Sequence, residues 1–427
     1  MKIIIPIEYY RRGGVERVII ALVKELSKLA DQVILVLPSK EIDYFRNTFQ
    51  GYENITIESF SVLQKSLTHY LIRVSEKALD LLKQKALIPN IRKKILKKIQ
   101  AIKTQRTIEQ LIKKHKATHC LYMIANKLNP PQISIPLAMI THDVFWHFSP
   151  LTYSESYIRI YDKSLLAWLN KANAIFTVSQ KTRQDILALF PDFSHKIKAI
   201  PNSGFLPETS PEVLKTKVNG TLTENITFYF PSSFGVYKDQ LNLVKAGLIV
   251  SASRKKFQVI LIGKETDGFL NGKLKLSQQS QSEEYKKYIE ACQEVYKQNR
   301  EVLKTHFQGL GYCSLEEVEF WYRNCSCVVV PSKYEGFGLA LSEAIVRGIP
   351  VIASDLEVFR EQVELYDCSD RVNFFSPGNS EALASCIQQF IDHPKPRLSD
   401  AEIETRFGHW TWEVVAQEYV KNLRSLQ

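Results

Sequence analysis

The sequence has no apolar stretch long enough to cross a bilayer, no paired cysteines and no low-complexity tract, and each absence removes a class of protein. Among its 427 residues no window reaches the roughly 20 uncharged apolar residues that a spanning helix needs. The five-residue apolar run Ile3 to Ile7, broken by Pro6, is too short for the core of a signal peptide. The 7 cysteines are scattered, and Cys325 and Cys327 are the only close pair. No metal-ligand spacing results, and an odd count argues for reduced thiols rather than a disulfide frame. The expectation is a protein made and kept in the cytoplasm, in which the sequons at Asn54, Asn219 and Asn225 are accidental. The full G-x-G-x-x-G spacing of dinucleotide-binding loops is missing as well. So is the interleaving of aromatic and basic side chains that suits single-stranded nucleic acid, and nucleic acid is not an expected partner.

What remains is ordinary globular composition. Charged residues make up 24% and hydrophobic ones 45%, which leaves no room for large-scale disorder. The length predicts two domains of about 200 residues each. A formal charge of +11 points to an anionic partner: a nucleotide ligand, nucleic acid or an acidic membrane surface.

The stretch Val328 to Asp355 carries most of the chemistry. Val328 to Val330 reads as a buried strand, Pro331 and Ser332 end it, and Glu335-Gly336-Phe337-Gly338 forms a loop whose glycines permit close backbone approach. A helix starts near Leu339 and is stopped by Gly348 and Pro350 before a second strand, Val351 to Ala353. In open α/β sheets, ligands sit at the carboxyl edge of the strands, and the N–H groups at a helix start attract phosphate. Two carboxylates, Glu335 and Glu343, stand beside that edge. Anions would repel a phosphate, so both suit the hydroxyls of a sugar and a ribose.

The rest of the chain alternates in the same way. Ile3 to Ile7 is a first strand, followed by a turn with Gly13 and Gly14 and a helix from about Val15 to Ala30. Those glycines either serve a ligand or make a plain tight turn. Gln32 to Leu37, Cys120 to Ile124, Leu137 to Ile140, Ala174 to Val178 and Lys198 to Ile200 read as further strands. His142 follows the strand Leu137 to Ile140, where it either faces a ligand or is structural. A second alternation begins at Ile226 to Phe230. Its loop delivers Lys238 to a helix start, where ammonium and N–H groups act on one anion. Strands at Phe257 to Ile262, His306 to Leu310 and Asn373 to Pro377 follow, with a mostly helical insertion from Leu270 to Lys304.

Between Ile91 and Lys116 there are 10 Lys or Arg residues against one acid, Glu109. Ile91, Ile95, Ile99 and Ile102 recur at helical spacing within it. Two readings stay open: a helix lying in the interface of an anionic membrane, or a surface helix whose apolar stripe packs on its own domain.

Taken in series, Gly13-Gly14-Val15-Glu16, Thr141-His142-Asp143, Lys238-Asp239, Gly309, and Pro331-Ser332 with Glu335-Gly336-Phe337-Gly338, Glu343-Ala344 and Gly348-Ile349-Pro350-Val351 resemble glycosyltransferase family 4. The resemblance implies the α/β fold called GT-B, two facing Rossmann-like domains with parallel sheets and a C-terminal helix crossing back to the first. It divides the chain into an acceptor domain over 1–204 with a basic helical segment 63–116, a linker 205–223, a nucleotide-sugar domain over 224–400 and a crossover helix over 401–427. It implies retaining, metal-independent transfer of a sugar from a UDP- or GDP-linked donor to a glycan or lipid-linked acceptor, as in bacterial surface polysaccharide synthesis. The absence of a D-x-D pair agrees with that, and no cofactor is expected. By position, Glu335 matches the glutamate near the donor sugar, Glu343 the one that holds the ribose, and Lys238 the lysine that neutralises the diphosphate. Gly336, Phe337, Gly338 and Leu339 match the backbone that holds donor hydroxyls and phosphate oxygens, His142 the histidine at the donor sugar, and Gly14 a residue beside the diphosphate. Ser232 stands where many members carry an arginine, and a serine lacks the bidentate grip of a guanidinium. Localisation is expected to be cytoplasmic, with 91–116 as the segment that would meet the inner face of the plasma membrane. The alternatives are a GT-B glucan synthase or phosphorylase, and a catalytically weak membrane-binding protein of this fold.

Overall fold

In the computed structural model, the described residues are 1–9, 13–60, 88–125, 128–148, 153–206, 225–253, 255–274 and 282–426. Most of the expected linker and the stretch 63–87 of the basic segment lie outside them. The strands form two sheets. The first contains β1 (Lys2–Pro6), β2 (Gln32–Leu37), β3 (Ile55–Ser59), β4 (His119–Tyr122), β5 (Leu137–Thr141), β6 (Ala174–Thr177) and β7 (Ile197–Ala199), in the order β3-β2-β1-β4-β5-β6-β7. The second contains β8 (Ile226–Pro231), β9 (Phe257–Ile262), β10 (Phe307–Gly311), β11 (Cys327–Val330), β12 (Val351–Ser354) and β13 (Val372–Phe375), in the order β10-β9-β8-β11-β12-β13. Both follow the doubly wound pattern in which the strand order reverses beside the first strand. All five pairings of the second sheet are parallel, and so are those of β1 with β2 and β4.

The strands form where the sequence is apolar on both faces. Ile3, Ile4 and Ile5 of β1 and Val33 to Leu37 of β2 are fully buried, as a parallel sheet covered by helices on both faces requires. β3, with the sequence ITIES, is half-buried throughout and pairs with β2 alone as an edge strand. Its mixed polarity hides it from a reading based on apolar runs. The helix Glu357–Tyr366 also goes beyond the expected elements, and the segment 401–427 expected as one helix holds two, Asp400–Phe407 and Trp412–Arg424. The 270–304 insertion contains the helices Glu283–Gln298 and the start of Arg300–His306.

Contacts divide the chain into two compact units. The first comprises 1–140, 164–176 and 416–427, and the second 141–163 and 177–415. In the first, Gly13 adopts a positive φ of 140°, open to glycine, and its N–H donates to the Glu16 carboxylate at 3.1 Å. Gly14 is the first residue of the helix Gly14–Leu29. Tyr419 meets Phe176 edge-on at 5.2 Å between ring centres, which ties the C-terminal helix into this unit. In the second unit, a core of Phe228, Phe230, Leu243, Val259, Leu261 and Val329 fills one face of the sheet. Tyr229, Ile260, Val328, Val330, Leu341 and Ile345 pack on the other.

Candidate active site

Two loops at the carboxyl edge of the second sheet meet through charged side chains. The loop after β8 ends in a short turn, Val236–Lys238, and the loop after β11 runs from Pro331 to Gly338. The Lys238 ammonium reaches both carboxylate oxygens of Glu335, at 2.6 and 2.7 Å, and the Ser332 hydroxyl donates to the same carboxylate at 2.6 Å. The side chains of Lys238 and Glu335 are only 20% and 10% exposed, so the pair is shielded enough to hold its geometry. A second pair crosses the same gap in the opposite sense: Lys333 lies 3.1 Å from Asp239, and the Lys333 N–H donates to the Tyr237 carbonyl at 2.7 Å. Burial raises the Asp239 carboxyl, against the pull of Lys333. Asp239 holds a left-handed backbone at φ 50°, a conformation that aspartate tolerates better than most residues. The two loops are thus stitched by reciprocal charge pairs from neighbouring positions.

The structure brings several of the expected site residues together within the second unit. Gly336 packs so tightly against the residues after β5 that a Cβ there would lie 1.9 Å from the His142 carbonyl oxygen and 2.7 Å from the Asp143 Cβ. His142 therefore meets the Glu335 loop through its backbone. Phe337 is buried, and Gly338 caps the helix Leu339–Ile345 at φ 87°. Glu343 sits fully buried on that helix and accepts the Tyr322 hydroxyl at 2.7 Å. The Arg347 guanidinium, paired with Glu319, lies over the Tyr322 ring. Ser232 stands in the loop after β8, where the backbone at Ser232 and Ser233 presses on Gly263 with no space for a Cβ. Gly14 belongs to the first unit.

Sequence reasoning left other residues of the site without a role. Asp143 is half-exposed as a residue, yet its Oδ1 is closed to solvent and has no hydrogen-bond partner among the described residues. Burial pushes its carboxyl up to about 6; the Phe145 N–H and Lys238 oppose the rise, and Glu335 adds to it. Tyr237 is pushed above the ordinary phenol range by the same burial and by Glu335 and Asp143. Phe145 stacks on Tyr237 at 6.3 Å and meets Tyr153 at 5.1 Å, so aromatic faces line this side of the Lys238–Glu335 pair. Among the described residues no group of three or more His, Cys, Asp or Glu is arranged to hold a metal ion. No described helix is long and apolar enough to cross a membrane.

The matches to known families divide the chain in sequence order, not along the two compact units. Residues 12–203 match the family model described as Glycosyltransferase Family 4, and residues 214–404 the model described as Glycosyl transferases group 1. The chain carries one domain of each of these two glycosyltransferase families. It is 25% identical over 278 residues to the O-antigen chain mannosyltransferase B of Escherichia coli, covering 64% of this chain and 66% of that protein. It is 46% identical over 81 residues to the lipopolysaccharide core biosynthesis mannosyltransferase LpsB of Rhizobium meliloti, covering 19% of this chain and 22% of that one. The chain thus spans less than two-thirds of the length of these relatives. Anabaena Alr3699/HepE, solved with UDP and glucose, superposes over 100% of both chains with a TM-score of 0.62 at 16% identity. A glycosyltransferase from Rickettsia africae superposes over 100% of this chain and 98% of its own, with the same TM-score. Similarity at that identity establishes the fold, and it is the GT-B class that the sequence implied.

Proposed function

We propose that this glycosyltransferase moves a sugar from a UDP- or GDP-linked donor to a glycan or lipid-linked glycan acceptor, with retention at the anomeric centre and without a metal ion. The observation that carries the reading is the Lys238–Glu335 pair at the carboxyl edge of the second sheet. A donor diphosphate competes with Glu335 for the Lys238 ammonium. Once the ammonium turns to phosphate, the Glu335 carboxylate is released to accept hydroxyl hydrogen bonds from the sugar. Charge building on the leaving diphosphate then meets a fixed cation in a shielded site, the electrostatic stabilisation that such a transfer needs. Ser232 adds no cation there, so Lys238 carries more of the diphosphate than in relatives with an arginine at that position.

The names of the relatives support a role in surface polysaccharide synthesis, and a mannosyl donor is the first to test. A thermal-shift panel of UDP-, GDP- and ADP-sugars identifies the donor, because a ligand that binds only the folded state raises its melting temperature. Lys238→Ala and Glu335→Ala are then expected to lower turnover strongly in a folded protein. Unchanged turnover in both removes the site assignment. Anomeric configuration in the product, read by NMR, tests retention.

The reading includes a peripheral contact with an anionic membrane at the cytoplasmic face. The helix Ile88–His115 is buried through Thr104, Thr107, Ile108, Leu111 and Ile112, whereas Ile102, about half a turn around, is 54% exposed. An apolar side chain pointing outward among basic residues suits an interfacial helix. Replacing Lys93, Lys94, Lys97 and Lys98 by Glu is expected to weaken binding to vesicles containing phosphatidylglycerol. Equal binding leaves the helix as an ordinary surface element.

A further inference from the structure

The carbonyl groups of the Glu335 loop are tied back one after another by side chains distant in sequence. The Gly336 carbonyl accepts the Ser179 hydroxyl at 2.5 Å and the Thr182 hydroxyl at 2.8 Å. The Phe337 carbonyl accepts the Gln362 amide, which also lies 3.4 Å from the Gly338 carbonyl. Ser179, Thr182 and Gln362 are all fully buried. With the carbonyls taken on this side, the N–H groups of Gly336, Phe337, Gly338 and Leu339 make no hydrogen bond within the described residues. Gly336 and Phe337 are buried, and buried peptide groups are nearly always satisfied, so their unpaired N–H groups are open to a ligand beside those of half-buried Gly338 and Leu339, which any helix start leaves over.

The arrangement on the Gly336 carbonyl is specific. Ser179 is the N-cap of the helix Gln180–Leu189; its oxygen accepts the Thr182 N–H at 2.9 Å, and its one proton is shared between the Gly336 carbonyl and the Thr182 hydroxyl oxygen, 3.0 Å away. Thr182, on the first turn, gives its own proton to the same carbonyl. The first two N–H groups of this helix, from Gln180 and Lys181, donate to the Glu361 carboxylate at 2.7 and 3.0 Å. Tyr334, two residues before Gly336, donates to Asp185 of the helix at 3.2 Å. The His142 carbonyl lies close to Gly336 as well, leaving no space for a Cβ, so the peptide next to Glu335 is closely packed.

We infer that Ser179 and Thr182 are positioning residues for sugar transfer: their two hydroxyls hold the Gly336 peptide so that Glu335 and the following N–H groups face the donor. The inference rests on the proposed function, because it assigns the loop to a donor sugar. The two hydroxyls do not touch the donor. They set the direction of groups that do, and a misplacement of about 1 Å at a reacting centre costs on the order of a hundredfold in rate.

Thr182→Val keeps the shape and the backbone N–H bond to Ser179 but removes one hydroxyl; Thr182→Ser keeps the hydroxyl and removes the methyl group. In the full-length protein, with GDP-mannose or the nucleotide sugar that the thermal-shift panel selects, Thr182→Val is expected to lower kcat about 10- to 100-fold. The affinity for the bare nucleoside diphosphate, read by calorimetry, is expected to stay within twofold, and Thr182→Ser to restore kcat. A valine variant with wild-type kcat, a serine variant as impaired as the valine one, or a parallel loss of nucleotide affinity would each overturn the assignment. Hydrogen exchange over residues 334–341 tests the clamp without any donor. Exchange is expected to be faster in Thr182→Val than in Thr182→Ser, and equal exchange refutes the clamp. If the wild-type protein binds no nucleotide sugar while exchange differs as expected, the donor reading fails and the clamp stands as a structural device. Ser179→Ala, which removes the other hydroxyl, serves as the second variant if Thr182→Val does not fold.

Discussion

Replacing Asp143 by asparagine should change how stability depends on pH, and the size of the effect follows from the environment of the carboxyl. Its ordinary value is 3.8, and burial next to Glu335 holds it at about 6. Between pH values of about 4 and 6 the folded protein keeps a proton that the unfolded chain has released. The native state therefore binds more protons, and stability falls as pH rises through that window. A displacement of about two pH units corresponds to about 3 kcal/mol, lost progressively and then constant above pH 6. Asparagine cannot titrate. The variant should lack this loss, whatever constant offset its amide introduces. Lys238, Glu335, Tyr153, Tyr161, Tyr237 and Tyr334 all interact with Asp143 electrostatically, and none of them is altered by the substitution. Scanning calorimetry of both proteins from pH 4 to 8, following the transition of the unit that carries residue 143, measures the difference. The wild type should lose about 3 kcal/mol relative to the variant between pH 4 and 6, and the gap should then stay level. Parallel curves across the whole range would show that the Asp143 carboxyl is not shifted, and the shielded environment assigned to it would be wrong.

Gly336→Ala should destabilise the second unit by about 1–3 kcal/mol, the usual cost of forcing a methyl group into a packed site, because its Cβ meets the His142 carbonyl at 1.9 Å. Urea unfolding measures this, and wild-type stability would mean that the two segments part without cost. Tyr322→Phe removes the hydroxyl that Glu343 accepts at 2.7 Å. A hydrogen bond to a buried charged group contributes about 1.5–3 kcal/mol, so the melting temperature should fall. No change would mean that Glu343 is satisfied without Tyr322. Lys333→Met leaves the Asp239 carboxylate buried without its cation, and the penalty should appear at pH 8 and shrink as Asp239 gains a proton on acidification. A penalty independent of pH would indicate lost packing instead.

The alternating strands and helices were legible in the sequence because parallel strands buried on both faces must be continuous apolar runs. Ile3 to Ile5, Val33 to Leu37 and Val328 to Val330 can scarcely be anything else. β3 escaped because an edge strand is half-exposed and its composition is mixed. That Glu335, Glu343 and Lys238 stand at or just after glycine-bearing loops was legible, because glycines and the ends of apolar runs mark those loops. Which charge meets which was not.

Local sequence by itself determined most of the buried strands, the loops at their carboxyl edges and the kinds of group those loops carry, because hydrophobic period and turn chemistry act over a few residues. Tertiary structure alone decided that Lys238 grips Glu335, that Glu343 faces Tyr322, and that the Asp143 Oδ1 is closed to solvent. It alone decided that hydroxyls at 179 and 182 hold the peptide at 336. These contacts join residues as much as 157 positions apart. Their energies depend on burial and on distances of a few ångströms, neither of which exists until the chain has folded.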